Sequence, residues 1–386
     1  MRARSTAAGL AAALALAAPS AAQRAVDPDE FAELEPVLQH ALAKAAPFVV
    51  TVETFGGTRK VLAGDEGGDG QAPAPRPATP GGRPGGALKD PGFHQSQGRS
   101  TGVVLSRDGW ILVSRFALNY DPTTILVTTG GKTYPATRKG EDTSRGIALV
   151  KIDAQDLPAA EFVQPKDVRV GQWAFALGRT FGADEPTVHF GIVSALRRQF
   201  GRALQIDAYT SPANYGGPVI DLDGRVLGIA VPLSPAGRDA GVEWYDSGIG
   251  FAATIADIPE LVERMQKGDV LHRGWLGVAL DNGYLGPGAR LAGTPREGAA
   301  SQAGLKRGDI VLEVDGTPVM HNFHLQVLVG AHMGGDSVGL KVKKKGVDEP
   351  VSMTVLLPEV PFAERQHDEA AELPASFPLP EKKEGR

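Results

Sequence analysis

The chain carries its most informative stretch at Asn214-Tyr215-Gly216-Gly217-Pro218. Two consecutive glycines allow the backbone to turn sharply where a larger residue would not fit. A turn of this kind can aim successive N–H groups at a developing oxyanion. The side chain at its apex belongs to Tyr215, whose phenol titrates near pH ~10 when nothing perturbs it. The stretch therefore predicts a sharp backbone turn that carries an aromatic side chain, which we expect to be packed.

With its flank from Gln205 onward, the stretch resembles the nucleophile segment of the HtrA family of trypsin-like serine proteases. That segment contains Gly-Asn-Ser-Gly-Gly-Pro, so the resemblance puts Tyr215 at the position of the serine. Ala213 and Asn214 fall on the turn of the oxyanion hole, and Ala213 replaces the glycine of the family.

Two further segments resemble those that carry the other members of the catalytic triad. The run 109–118 places Phe116 at the histidine position, and the run 145–152 places Gly146 at the aspartate position. A triad needs a nucleophile, a base and a group that orients the base. Phe116 cannot accept a proton and Gly146 has no side chain, so we expect no serine mechanism. We also expect Phe116 to be buried against Tyr215 across a partly closed cleft.

Composition sets broader limits on the protein. A chain of 386 residues with 42% hydrophobic residues is long enough for two or three domains with buried cores. The net charge of −5, with no basic stripe, gives no sign of nucleic-acid binding. The absence of cysteine excludes disulfides and a thiol nucleophile. Nothing in the sequence calls for a cofactor.

The N-terminus has the pattern of an export signal. Residues 1–22 combine two arginines, an Ala/Leu-rich run and small residues before Gln23, which predicts a secretory signal peptide. The apolar run is short for a membrane span, although a retained N-terminal anchor is the alternative. An exported protein without cysteine is consistent with the bacterial periplasm, and the resemblance implies the same location.

The remaining sequence predicts a mainly β fold with several segments. Residues 23–46 have helical spacing, interrupted at Pro36, and residues 47–266 contain short strands that resemble the HtrA protease domain in order as well as singly. Residues 56–100 are Gly/Pro-rich and predict a disordered loop. The resemblance implies a trypsin-like double β-barrel, closed by a helix near 255–266.

A second module resembles the PDZ domain that follows the protease domain in HtrA proteins, and it spans residues 270–358. The resemblance implies a groove for C-terminal peptides between the loop and a helix at 322–332. The implied peptide-binding residues are Trp275, Leu276, Gly277, Val278 and His324. Residues 359–386 predict a disordered tail.

Several other side chains have competing interpretations. His321, His324 and His332 suggest a metal site, but no cysteine or second histidine cluster completes one, so we predict none. The run 341–345 is lysine-rich and fits a solvated hairpin better than a phosphate or lipid site. Asp207 is interpreted as a framework acid. His189 lies outside the triad positions, and a relocated base is an unsupported alternative.

These observations predict a catalytically inactive HtrA-like protein that binds C-terminal or unfolded peptides of other proteins, mainly through its PDZ domain. One alternative is an active endopeptidase that uses displaced residues. Another is a non-catalytic subunit that assembles with an active relative, or a homotrimer, since HtrA proteins are often trimeric.

Overall fold

A computed structural model describes residues 34–56, 98–118, 121–180, 185–233 and 245–359. The predicted signal peptide, nearly all of the Gly/Pro-rich loop and all but the first residue of the predicted tail lie outside these residues. Within them, no helix is long and apolar enough to cross a membrane.

The first barrel follows helix α1 (Leu34–Ala45), and its strands are rich in β-branched residues that suit a pleated sheet. Its order is β5-β4-β1-β2-β3-β6, and pairing of β5 with β6 closes it. The strands are β1 Val49–Phe55, β2 Gly98–Val104, β3 Trp110–Ser114, β4 Thr124–Thr129, β5 Lys132–Asp142 and β6 Ile147–Ile152. Ala41 and Ala45 of α1 are buried in the same apolar core as these strands.

The second barrel has the order β10-β11-β12-β9-β8-β7 and is closed by pairing of β7 with β10. Its strands are β7 Trp173–Gly178, β8 Thr187–Arg197, β9 Ala203–Ile206, β10 Pro218–Ile220, β11 Val226–Val231 and β12 Gly250–Ala253. A tight turn, α2 (Arg198–Gly201), joins β8 to β9, and its residues Gln199 and Phe200 have left-handed backbone conformations. The buried residues of the second barrel divide between a core of its own and the core that contains the first barrel, and the cleft lies where segments of the two barrels meet.

Helix α3 (Pro259–Lys267) and strand β13 (Val270–Leu271) connect the barrels to a smaller sheet, and β13 pairs with β5 in parallel. The sheet has the order β14-β15-β16-β18-β19, with β17 beside β16. It comprises β14 Ala279–Leu280, β15 Ala289–Gly293, β16 Ile310–Val314, β17 Thr317–Pro318, β18 Ser337–Lys343 and β19 Val351–Leu356. Helices α4 (Ala299–Gln302) and α5 (Asn322–Gly330) complete this module.

The predicted fold class is confirmed, since two closed six-stranded barrels precede a PDZ-like sheet. Two predicted helix bounds are corrected. The helix expected from 255 begins at Pro259, because proline favours the first helical turn and lacks the N–H that a helix interior would use. The helix expected to reach His332 ends at Gly330. Pro36 lies within α1, and the start predicted near Asp27 falls outside the described residues.

A buried charged cluster joins the barrels to the smaller sheet. Asp142 is fully buried and accepts hydrogen bonds from the Arg145 guanidinium at 2.8 Å and from the Ser144 N–H at 2.8 Å. The buried Arg202 donates from its guanidinium to the carbonyl of His332 at 3.3 Å. Burial, followed by the charge of Arg145, lowers the pKa of Arg202 to about 9. The cluster therefore fixes the turn before β9 against the end of α5.

Candidate functional site

The cleft position predicted for the catalytic base contains a buried aromatic pair. Phe116 lies in the short 3-10 segment after β3 and is 3% exposed, and Tyr215 is 2% exposed. Their rings meet edge to face, with centroids 5.5 Å apart at 69°. Tyr245 makes a similar contact with Tyr215 at 6.0 Å. The predicted burial of Phe116 against Tyr215 is confirmed, and aromatic rings fill this part of the cleft.

Gly146 lies beside this pair, because its carbonyl accepts a hydrogen bond from the Arg115 N–H at 2.9 Å. Its φ is +69°, a left-handed conformation that side chains other than glycine adopt with strain. A β-carbon placed on Gly146 would come no closer than 3.8 Å to Val231. An added β-carbon would therefore meet only ordinary contacts, whereas the backbone conformation disfavours any residue other than glycine.

The turn before Tyr215 is closed on itself. The N–H groups of Asn214 and Tyr215 both point to the carbonyl of Ser211, at 3.0 and 3.2 Å. The buried Asn214 side chain accepts from the Ser211 N–H at 3.0 Å and donates to the Tyr209 carbonyl at 2.9 Å. An oxyanion hole needs preorganised donors aimed at the reacting oxygen. The Tyr215 N–H instead donates to the Ser211 carbonyl, within the turn that includes Ala213.

The displaced residues considered from the sequence have other roles in the structure. His189 is in β8 opposite Ala176, and its ring lies 6.4 Å from that of Tyr209. Within the part of the chain that the structure describes, no hydrogen bond links His189 to a hydroxyl. Asp207 accepts a hydrogen bond from the Ile192 N–H at 2.6 Å and so stabilises the β8–β9 pairing.

A groove lies in the PDZ-like module between the loop before β14 and helix α5. It encloses a cavity of about 180 Å³. The lining residues are Phe200, Arg273, Gly274, Trp275, Leu276, Gly277, Val278, Leu280, Leu325, Gln326, Val329 and Gly330. Four of the five predicted peptide-binding residues, Trp275 to Val278, are among them. Strand β14 is at the edge of the sheet, so an extended peptide can pair beside it.

The loop 274–278 turns at a left-handed glycine that lies close to another segment of the backbone. Gly277 has φ +68°, and a β-carbon there would lie 2.5 Å from the Cα of Gly298. The Leu276 carbonyl is held by the Ala300 N–H at 2.8 Å. Among the described residues, no hydrogen bond outside the strand ladders uses the N–H of Leu276, Gly277 or Val278 as its donor. Consecutive donors of this kind suit the carboxylate of a peptide's C-terminus.

His324 does not line the cavity. Its Nδ1 accepts from the Met320 N–H at 3.2 Å, while its own N–H donates to the His321 ring at 3.2 Å. His332 pairs with Asp315 at 2.9 Å. No group of three potential metal ligands occurs in the described ranges. The predicted contact of His324 with peptide remains a prediction.

The lysine-rich strand lies in a hairpin with acidic partners. Lys341 pairs with Glu313 at 2.7 Å, and Lys344 pairs with Asp309 at 3.3 Å. Hydrogen bonds from the backbone N–H groups of Lys345 and Lys306 and from the Lys344 side chain outweigh burial and lower the pKa of Asp309. These pairings favour the solvated-hairpin interpretation.

Sequence reasoning missed Phe200 and Arg273 as groove residues. Arg273 directly precedes the predicted loop, and this adjacency was a usable signal. Phe200 belongs to the second barrel, and no local pattern places it against a helix of another module.

The comparisons with known proteins agree with both parts of the architecture. A trypsin-like peptidase domain profile matches residues 100–229, and a PDZ domain profile matches residues 274–355. The chain is 33% identical over 279 residues to a probable periplasmic serine endoprotease DegP-like from Halomonas elongata, covering 68% of this chain and 57% of that protein. A protein of the same description from Pseudomonas fluorescens is 32% identical, with 68% and 56% covered.

Solved structures give the same fold. The HtrA-type protease AlgW with tripeptide has a TM-score of 0.62 at 24% identity, covering 84% of this chain and 97% of that one. A serine endoprotease from Yersinia pestis has a TM-score of 0.55 at 24% identity, covering 84% and 98%.

The protein is thus a trypsin-like peptidase fold followed by a PDZ domain. It belongs to the HtrA family, which the DegP-like relatives represent. The chain spans a little over half the length of the first two of these relatives, 57% and 56%.

Proposed function

We propose that this chain is a catalytically inactive HtrA-family protein that binds C-terminal or unfolded peptides of other proteins through its PDZ groove. The observation that carries the proposal is the buried contact of Phe116 with Tyr215, 5.5 Å between ring centroids, at the place where a protease would hold its base and nucleophile.

The chemistry of acyl transfer supports inactivity. Phe116 offers no lone pair to take a proton, and Gly146 offers no carboxylate to orient a base. The Tyr215 N–H donates to Ser211 instead of facing a substrate. In one well-studied serine protease, loss of the nucleophile or base alone costs about 10⁶ in turnover. Restoring one position is therefore expected to recover nothing measurable.

The groove supplies the positive half of the proposal. A peptide's terminal carboxylate would accept hydrogen bonds from the N–H groups of Leu276, Gly277 and Val278, and its backbone would pair with the edge of β14. Leu325 and Val329 of α5 give the opposite wall an apolar surface. The HtrA-type protease AlgW, which has the same fold, was solved with a tripeptide and with a decapeptide, and this supports peptide binding by analogy.

We place the protein in the cell envelope, most simply in the periplasm. The support comes from the signal pattern at residues 1–22 and from relatives described as periplasmic. An N-terminally anchored form is the alternative. Fractionation of cells expressing the full chain, with N-terminal sequencing of the product, separates the two.

Two assays on purified protein test the proposal. Digestion of casein, with a serine-reactive probe alongside, is expected to give no turnover above a matched contaminant control. Turnover above the control that Tyr215→Phe abolishes would overturn the proposal and establish an active protease that depends on the Tyr215 hydroxyl. The triple variant Phe116→His, Gly146→Asp, Tyr215→Ser tests whether the scaffold still supports activity. A library of peptides with free C-termini is expected to yield binders, and amidation of the last residue should abolish their binding.

An exposed aromatic patch favours a second candidate role in assembly. Phe190 of β8 is 69% exposed, and its ring lies 6.3 Å from that of Trp173, the first residue of β7. Val170, which is also exposed, shortly precedes β7. Surface patches of large apolar residues mark protein interaction sites. The chain would form a homotrimer or associate with an active HtrA relative. Sedimentation of the full chain and of Phe190→Ser, each alone and mixed with such a relative, tests this role.

A further inference from the structure

One wall of the PDZ groove comes from the second barrel. Phe200, in the α2 turn between β8 and β9, lines the same cavity as the loop 274–278 and the C-terminal half of α5. The cavity of about 180 Å³ is what remains with the Phe200 ring in place. The peptide site is therefore formed by both parts of the molecule.

Phe200 is in close contact with the groove on two sides. A β-carbon placed on Gly330 of α5 would lie 2.5 Å from the Phe200 Cβ, so only glycine at 330 allows this approach. On the other side, the guanidinium of Arg273 lies 4.7 Å from the centre of the Phe200 ring, in cation–π geometry. Arg273 leads directly into the loop with the available N–H groups.

The backbone holds Phe200 in an uncommon conformation. Its φ is +58°, and Arg197 and Gln199 have φ of +55° and +52°. A bulky residue adopts this region only where the surroundings impose it, and such outliers concentrate at ligand sites. The surroundings here include buried Arg202, whose N–H donates to the Gln199 carbonyl at 3.3 Å and whose guanidinium reaches His332. The turn is thus anchored on both modules.

We propose that Phe200 is a specificity-determining residue that limits the size of the last side chain a peptide can place in the groove. This inference rests on the proposed peptide binding. The ring lines the cavity together with the loop 274–278 and α5, between which the last side chain would enter. The site accepts a C-terminal residue with a small apolar side chain, such as Ala or Val, and rejects Phe.

The test compares peptide selectivity in the full chain. The best binder from the free-carboxylate library is resynthesised with Ala, Val, Leu or Phe as its last residue, and dissociation constants are measured by fluorescence anisotropy. The protein variants are Phe200→Ala and Phe200→Gly. Glycine removes the ring but accepts the positive φ, so it keeps the turn where alanine strains it. Phe323→Ala, an exposed phenylalanine on α5 outside the cavity, is the matched control.

The measured quantity is the Kd for the Phe-ended peptide divided by that for the Ala-ended peptide. We expect this ratio to fall by about tenfold or more in both Phe200 variants, as in apolar pockets that gain space, and to stay at the wild-type value in Phe323→Ala. An unchanged ratio in Phe200→Gly, with peptides still bound, overturns this inference and leaves the proposed function in place. No binding by the wild type or any variant overturns both.

Discussion

The cleft between the barrels and the groove of the PDZ domain contrast in how their polar backbone groups are used. In the cleft, the Tyr215 N–H is taken up by Ser211 and the space is filled by Phe116 and Tyr215. In the groove, the N–H groups of Leu276, Gly277 and Val278 donate no hydrogen bond outside the strand ladders among the described residues. A cavity of about 180 Å³ stays open beside them.

The contrast agrees with the proposed function, in which the PDZ groove binds peptides and the packed cleft performs no chemistry. A cleft that binds substrate must leave donors and space unsatisfied, which costs stability. Aromatic packing at Phe116 removes that cost, whereas the groove keeps open space beside the loop around Gly277 and a strained backbone at Phe200, whose φ is +58°. Variants in each region can test whether the two really differ in this way.

The largest effect on stability is expected from removing the aromatic ring at position 116 in the cleft. Phe116→Ala removes a buried ring that contacts Tyr215, and we expect the free energy of unfolding to fall by about 3–5 kcal/mol. Urea denaturation followed by tryptophan fluorescence measures the change. The exposed Phe55→Ala in the same barrel is the control, with an expected effect within about 0.5 kcal/mol. A loss below about 1 kcal/mol for Phe116→Ala would indicate an open cleft that tolerates the change.

The charged cluster at the junction should give the next largest effect. Burial opposes ionisation of Asp142, but the charges of Arg145 and Arg202 and hydrogen bonds from Ser144 and Arg145 outweigh it, so the pKa of Asp142 lies below its ordinary value. Its contribution to stability is therefore complete above the unfolded pKa of 3.8 and is lost as pH falls through the lower folded value.

Asp142→Asn should cost about 3 kcal/mol at neutral pH, near the low end for a broken buried ion pair, because asparagine can still accept hydrogen bonds. Its unfolding free energy should also lose part of its acid dependence below pH 3.8. Denaturant titrations at several pH values measure both effects. A variant with wild-type stability and the same acid slope would show that the cluster does not hold the junction.

A substitution in the groove, Gly277→Ala, is expected to have a smaller effect, which is on peptide affinity. Gly277→Ala forces a side chain onto a residue with φ +68° and toward the Cα of Gly298. We expect peptide affinity to fall about ten- to hundredfold, since strain of this kind costs on the order of 1–3 kcal/mol. Gly293→Ala in the same domain, where no heavy atom lies within 4 Å of the added carbon, is the control. Equal affinities in the two variants would show that the loop does not bind the peptide's carboxylate.

The smallest effect is expected at His324. Its ring does not line the cavity, and its Nδ1 accepts the Met320 N–H. His324→Ala should therefore change peptide affinity by less than about threefold, as residues at the rim of an interface do. Isothermal titration with the best library peptide measures this change. A loss above about tenfold would place the ligand over the start of α5 and support the role expected from the family resemblance.

Much of the site could be predicted from the sequence because tight turns restrict which residues can occupy them. The glycines at 216, 217 and 277 stand where the backbone has positive φ or approaches another chain segment closely. Such positions reject other residues wherever the fold occurs. The run Trp275–Val278 could be assigned to the groove through its resemblance to the loop of the family's PDZ domain, and all four residues line the cavity. The least accurate predictions were the helix bounds, because the position of a helix end depends on local capping and fraying.

The sequence by itself determined the order of the two barrels and the PDZ domain, the glycine turns and the residues at the three cleft positions. Only the tertiary structure decided that Phe116 meets Tyr215 edge to face, that the Tyr215 N–H is bound by Ser211, and that Phe200 stands against Gly330. Local patterns follow from backbone sterics and periodicity, which a short segment expresses alone. Contacts between distant segments depend on how complete modules pack, and no single segment encodes that packing.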